Sequence, residues 1–588
     1  MARPGRAREH GVPAGSHGRR GGLPGGNTVS EILRRPRRGR LVVTVVVLAL
    51  VAAACSSGGS GAGKAGTTPT TVGTPQLGGS VVWAIPAETS GGWCLPEAQL
   101  AISGIQIARA IYEPLTQPDE HEVYRPYLAQ TMTSNAAHTV WNITLRPGIK
   151  FQDGTALTAV VVKNNLDAAR GVYKYRHPLL SSFVFGKYML GVKVTGPLSL
   201  EVDTVPWTAF PAYVAGGRFG IMAQSQLDDQ TTCASKLIGT GPFMMKQWIR
   251  NDHFTVVRNP NYWREDARGV RLPYLDQIIF KPVVESAQMV NGVQVGDFDL
   301  VLDDTSVDIA QYRSLARGGK INLVESQAYP ELGYTLFNVT TPPFDNIDAR
   351  LAYVYAIDRV TSNRLREKKI TKIASGPFGP GVMGYLANSG YPSYDLTKAK
   401  AYVQKYEQET GHKLSFTYLS PGTDPELLKS IALTKTYLER AGMSVTVKAV
   451  DESQGINSVI GKHFQAVAWR NHAGFDPDTE YVWWHCDNPT GVCSNPVNFN
   501  GFNDAVINKA LEDGRSSADP ARRRADYETV NREFAKMVYD AWGSWSDWSV
   551  PASTRVHGIA NLPLPDGSAP FPGLTSGFDP AGLWVSKS

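Results

Sequence analysis

Between residues 413 and 472 the apolar positions change period twice. Leu414, Phe416 and Tyr418 alternate with polar residues, the period-2 pattern of a half-buried strand. Asp424 then stands where it can cap a helix. Pro425 falls in the first turn, where its missing N–H has no helical partner to lose. Leu427, Leu428, Ile431, Thr434 and Leu438 form a stripe at helical spacing, and Gly442 supplies a residue able to turn left-handed at its end. Val445, Val447 and Ala449 alternate again. Strand, crossover helix, strand is a βαβ unit, which predicts two parallel strands. Residues 464–469 read as a third strand, whose end delivers Trp469, Arg470, Asn471 and His472. In open α/β sheets ligands bind beyond such strand ends, so this stretch is expected to face one.

The rest of the chain breaks into short elements of the same two kinds. Residues 79–85, 141–145, 198–203 and 333–339 read as strands, and residues 100–111 and 159–170 as helices. Ile347, Leu351, Val354 and Tyr355 give a further helix its buried face. Asp153-Gly154 reads as turn chemistry rather than a catalytic carboxylate. Gly239-Thr240-Gly241-Pro242 lacks the Lys-Ser/Thr ending of a phosphate loop and reads as a structural turn. Asp358-Arg359 is expected to be a solvated or interdomain ion pair.

At 588 residues the chain is too long for one ordinary core, and two or three domains are expected. The net charge of +6 misleads about the body of the protein. Residues 1–54 carry ten arginines and two glutamates, which leaves a net −2 on the remainder. A mildly acidic body argues against nucleic-acid binding, which needs a concentrated basic surface.

The basic start is followed by LVVTVVVLALVAAA at residues 41–54, too short to span a bilayer but right for the apolar core of a signal peptide. Ala52-Ala53-Ala54 before Cys55 resembles a bacterial lipobox, which implies that Cys55 is the lipidated first residue of the mature protein. Cleavage after Ala54 with free secretion is the alternative. Residues 55–77 read as a flexible tether, and the G-x-G-x-x-G match at 61–66 has no strand or helix beside it. The expected location is the outer face of the cytoplasmic membrane or the periplasmic space, anchored by lipid.

Four further cysteines, Cys94, Cys233, Cys486 and Cys493, form an even set suited to an oxidising compartment. Three pairings are possible. Cys486–Cys493, around a short turn, with Cys94–Cys233 as a long staple is the preferred one. A metal site of His485, Cys486 and Cys493 is disfavoured because the spacing is not that of a zinc ribbon or knuckle. No metal or cofactor is expected. A hydrolase is disfavoured too, since neither a Gly-x-Ser-x-Gly elbow nor a His-Glu-x-x-His helix is present.

Six stretches taken together carry a resemblance: LRPGIKFQDGTALT (145–158), GTGPF (239–243), NPNYW (259–263), FNVTTPPFDNIDARLAYVYAIDR (337–359), YDLTKAKAYV (394–403) and FDPD (475–478). In order and spacing the chain resembles the family 5 extracellular solute-binding proteins, the peptide-, dipeptide- and nickel-binding components of ABC importers. The resemblance runs from about residue 78 to about residue 556. It implies an α/β, two-lobed periplasmic-binding-protein-like fold with a hinge and an inserted subdomain. On that pattern domain I is 78–115, 202–336 and 549–588, domain II is 116–201, and domain III is 337–548. The ligand is trapped as lobes I and III close. The implied protein is a monomer that is not an enzyme and that delivers peptides or peptide-like solutes to an ABC permease and ATPase. The two preferred cysteine pairings resemble those of dipeptide-binding members.

Peptide-binding members carry an aspartate shortly after the strand that ends here at Trp469, and His472 or Ala473 holds that position. Arg470 is therefore a candidate to meet a ligand carboxylate in a bidentate bond. An exposed loop for Arg470 and His472, and a core position for Trp469, are the bland readings. Trp93, Trp542 and Trp545 join Trp469, Arg470, Asn471 and His472 as candidate ligand residues, since lobe interfaces are expected near them and ligand pockets are largely aromatic. The alternatives in ligand are a metal chelate, an opine-like conjugate or a haem-like compound. The alternative in role is a regulatory lipoprotein without transport.

Overall fold

The alternation at residues 414–418 forms the strand Ser415–Ser420, which pairs in parallel with Ser444–Ala449. The helix Pro425–Arg440 connects them, and Asp424 Oδ1 caps it by accepting from the Leu427 N–H at 2.8 Å. Gly442 follows at φ +102°, a conformation that side chains with a Cβ rarely adopt. The strand Ala466–Asn471 runs parallel to Ser415–Ser420 and antiparallel to Leu332–Phe337. This computed structural model describes residues 73–587, apart from Ser90, Gln99, Leu179, Tyr329, His472, Ala473, Phe475, Pro489, Ser576 and the side chains of Glu452 and Ser453. The leader, Cys55 and all but the last five residues of the tether lie outside the described residues.

Three sheets organise the described chain. A six-stranded sheet runs in the order Lys372–Ile373, Asp540–Trp545, Leu332–Phe337, Ala466–Asn471, Ser415–Ser420, Ser444–Ala449. A seven-stranded sheet runs Ile321–Ser326, Trp548–Ser553, Leu300–Val301, Ser80–Ile85, Gln277–Pro282, His253–Arg258, Phe243–Ile249. A four-stranded antiparallel sheet holds Ala129–Ser134, Val140–Leu145, Ser199–Thr204 and Met189–Gly196. Each large sheet buries its own aromatic core. Trp83 lies against Phe280 and Phe578 in one, and Phe337, Phe344, Tyr353 and Phe416 pack ring to ring in the other.

The chain passes between the two large sheets at two places, Ser326 to Leu332 and Trp545 to Trp548. The six-stranded sheet therefore begins at Leu332, five residues before the expected start of domain III at 337. Alternation shows that these residues form a strand but not which sheet takes it. The pairing of Leu332–Phe337 with Ala466–Asn471 and Asp540–Trp545 decides that.

The short sequence motifs turn out to be joints. Glu113, fully buried, accepts from Thr240 Oγ1 at 2.7 Å, Tyr262 O–H at 2.7 Å and Trp263 Nε1 at 2.9 Å. One carboxylate thus ties the 239–243 turn to the 259–263 turn, and burial pushes it up to about 7. A Cβ on Gly239 or Gly241 would stand 2.0 or 2.6 Å from the Ile111 carbonyl oxygen, so both positions require glycine. Asp153 accepts from the Thr155 N–H at 3.0 Å, as a turn residue does. Asp358 and Arg359 do not form the expected ion pair. Asp358 caps the helix Arg359–Leu365 through the Thr361 N–H, while Arg359 donates to the carbonyls of Ala374, Trp542 and Pro392. Backbone carbonyls at converging chain ends compete better for that guanidinium than its sequence neighbour does. Cys94 bonds to Cys233 and Cys486 to Cys493, which takes both cysteines out of the rejected metal site.

Candidate functional site

The two large sheets face each other across a cavity of about 950 Å³. That is at the upper end of the range for small-molecule sites. Its six-stranded wall is aromatic. Tyr334 and Trp542 meet with ring centroids 5.2 Å apart, and Trp469 and Trp483 both pack on Phe499, at 5.6 and 5.4 Å. Tyr334, Trp542 and Trp469 stand on three neighbouring strands of the sheet, and Trp483 on the short helix Tyr481–Trp484.

The opposite wall is polar. Asp303 and Asp304 follow the strand Leu300–Val301, and the first turn of the helix Ile102–Ile111 opens onto the cavity. Arg470 reaches across. Its Nε donates to Glu331 Oε2 at 2.9 Å and its Nη2 to Asp304 Oδ2 at 2.5 Å, while its guanidinium lies 5.7 Å from the Trp548 ring centre. Burial raises Glu331 to about 7 even with Arg470 opposite. Asn471 Nδ2 donates to Glu480, which burial raises to about 8. Asp303 accepts from Tyr312 O–H at 3.0 Å and is raised to about 7, again by burial.

Of the candidate ligand residues, Trp469, Arg470, Asn471 and Trp542 line the cavity. Trp93 and Trp545 do not. Trp93 is fully buried under the seven-stranded sheet against Trp248 and Phe254. Trp545 packs on Tyr385 at 5.8 Å. The strand bulges at Gly543, so Trp542 lies opposite Tyr334 and Trp545 opposite Leu332 on one face, and Trp545 stands at the strand's end against Tyr385 rather than in the cavity wall. His472 lies outside the described residues.

The chain's own Glu331 and Asp304 satisfy Arg470, which the sequence had offered to a ligand carboxylate. Neither acid carries a motif, and no periodicity marks Asp303-Asp304 or Glu331. Arg218, also in the wall, follows Gly216-Gly217 in a loop, a faint signal without the fold. Among the described residues there is no group of three or more His, Cys, Asp or Glu able to hold a metal ion. No described helix is long and apolar enough to cross a membrane.

The family model for bacterial extracellular solute-binding proteins, family 5, middle, matches residues 123–491. The glutathione-binding protein GsiB of Salmonella paratyphi A is 26% identical over 358 residues, 60% of this chain and 67% of the relative. GsiB of Shigella flexneri is 25% identical over 431 residues, 72% of this chain and 81% of the relative. Among solved structures, AgaA of A. tumefacien R10 in complex with agropinic acid superposes with a TM-score of 0.75 at 20% identity, covering 87% of this chain and 99% of that one. The oligopeptide-binding protein AppA of Bacillus subtilis in complex with a nonapeptide gives 0.74 at 18%, covering 87% and 100%. At these identities the structural likeness establishes the fold.

Proposed function

As the chain belongs to the family 5 bacterial extracellular solute-binding proteins, we propose that it captures small peptides or peptide-like solutes between its two large sheets and delivers them to an ABC permease. The observation that carries this reading is the cavity. It joins an aromatic wall, suited to varied side chains, to a wall of charged groups suited to a polar main chain. The matched relatives named for glutathione, a tripeptide, support the same size class. Trp469, Asn471 and Trp542 are the ligand-facing residues in this reading. Arg470 fixes the polar wall through Glu331 and Asp304. Closure of the two sheets on the solute is the working step, and no covalent chemistry is required. Anchoring through a lipid on Cys55 would hold a monomeric receptor at the outer face of the cytoplasmic membrane, beside its permease and ATPase.

A thermal-shift screen of the mature protein against di- to hexapeptides, metal chelates and opine-like compounds tests it. A solute at about 100 times its Kd adds ~2.7 kcal/mol of stability. In a protein of this size that is a shift of a few degrees. Stabilisation by peptides supports the proposal. Stabilisation by a chelate or an opine-like conjugate alone would replace it, and no stabilisation by any compound would favour a role outside transport.

A further inference from the structure

The segment that ends the helix Arg359–Leu365 sorts its charges into two sets. Arg366 pairs with Glu426 at 3.3 Å, and Glu367 accepts from Ser306 Oγ at 2.5 Å, so both are engaged with the protein. Arg364, Lys368, Lys369 and Lys372 are exposed, and among the described residues none of the four makes an ion pair. Lys368 Nζ donates to the Leu365 carbonyl at 3.1 Å. Two aliphatic side chains stand among these cations, Val360 at 69% exposure and Leu365 at 55%. Val360 and Arg364 are four apart on the helix and share one side of it. Lys368 and Lys369 both adopt the left-handed region, at φ +49° and +63°. Residues with a Cβ seldom do so, and such backbone gathers at sites of function.

Residues 364–372 hold five cations and one carboxylate, on a body whose net charge is −2. Like charges so close repel one another, and the aliphatic side chains between them gain nothing from water. An anionic bilayer surface satisfies both sets. Headgroup phosphates neutralise the cations, and the aliphatic side chains enter the boundary of the acyl region. The lysines are long and unbraced, which suits a fluid array of phosphates rather than a fitted pocket. Ser362, Asn363 and Glu367 of the same segment line the cavity, so a bilayer at this patch would lie beside the cavity's rim.

We propose that Val360, Arg364, Leu365, Lys368, Lys369 and Lys372 form a membrane-contact patch, which adsorbs to anionic phospholipid headgroups and turns the rim of the cavity toward the bilayer. All three sheets lie within residues 73–587, so the chain from Ser56, without leader or lipid, keeps the whole fold. It is sedimented at low salt with vesicles of phosphatidylglycerol and phosphatidylcholine in equal parts, and with vesicles of phosphatidylcholine alone. Each Lys or Arg near an anionic surface strengthens adsorption about 5-fold, so the anionic vesicles should hold the protein at least about 10-fold better. Added salt should weaken that preference. Lys368→Glu combined with Lys369→Glu should abolish it. Lys193→Glu combined with Lys320→Glu, the same change of charge at exposed positions elsewhere, should keep most of it. Equal loss in the two double variants would reduce the effect to net charge and overturn the patch. No preference for anionic vesicles in the unaltered protein would also overturn it, and would leave these cations to a protein partner. Neither result bears on solute capture, which the thermal-shift screen reads separately.

Discussion

Arg515 Nε donates to Asp478 Oδ1 at 2.9 Å, and neither side chain is more than 4% exposed. The guanidinium lies 3.5 Å from the Tyr481 ring centre and 4.3 Å from that of Tyr188. Asp478 also accepts from Trp207 Nε1 at 2.8 Å. The pair thereby bonds the segment after the four-stranded sheet to the segment after Ala466–Asn471. Removing one partner strands the other charge in a dry aromatic cage. Arg515→Ala should cost roughly 3–5 kcal/mol, read as a lower midpoint in urea denaturation. A loss below about 1 kcal/mol would show that water reaches Asp478.

Trp469 and Trp545 separate recognition from folding. Trp469 lines the cavity, so Trp469→Ala should weaken solute binding about 10-fold or more while leaving the melting temperature within a few degrees. Trp545 is buried away from the cavity, and Trp545→Ala should cost ~3–5 kcal/mol of stability with a smaller change in affinity. Calorimetric titration beside thermal melts distinguishes the two, and the reverse pattern would remove Trp469 from the site.

The two disulfides close very different loops. Cys94–Cys233 spans 139 residues of sequence and Cys486–Cys493 spans 7. In the chain-entropy account these correspond to about 5 and about 2.5 kcal/mol. Replacing Cys94 and Cys233 by serine should therefore lower the melting temperature about twice as much as replacing Cys486 and Cys493. Titration of the denatured, unreduced protein should find no free thiol among these four.

Acid groups buried near the cavity set the pH response. Burial raises Glu480 and Asp540 each to about 8, above the unfolded carboxylate range. Between about pH 5 and pH 8 the folded protein holds protons that the unfolded chain has released. Stability must fall as pH rises through that window. Glu480→Gln keeps an acceptor for Asn471 Nδ2 and should flatten the fall, raising the melting temperature at pH 8 more than at pH 5. A parallel shift at both values would show that Glu480 does not titrate there.

Much of this architecture can be read along the chain. The βαβ unit around Pro425–Arg440 was legible because period, cap and terminating glycine agree within thirty-odd residues. Trp469 and Asn471 were legible because strand ends are where such folds present side chains, and Trp542 because ligand pockets between lobes are largely aromatic. The polar wall was not. Arg470 meets Asp304 and Glu331 across sequence separations of 166 and 139 residues, and nothing local marks acids whose partner lies that far away. Trp545 misled because its position is set by a bulge at Gly543 and by packing on Tyr385, a residue 160 positions away, and nothing local marks either. Asp476 and Asp478 stand in one short motif, yet Asp476 pairs with the largely buried Arg523 and Asp478 with the fully buried Arg515.

The two passages between the large sheets lie side by side. Ser326 is opposite Trp548 in one sheet and Leu332 is opposite Trp545 in the other. A pair of ribbons bonded together at both ends flexes readily in one plane and resists torsion about its length. If the sheets close on a solute as proposed, their displacement would follow a single coordinate, and the bulk of the solute would set its value. A membrane partner touching both sheets would sense a separation rather than a chemical identity. Discrimination among solutes would belong to the cavity, and the moment of release to that one coordinate.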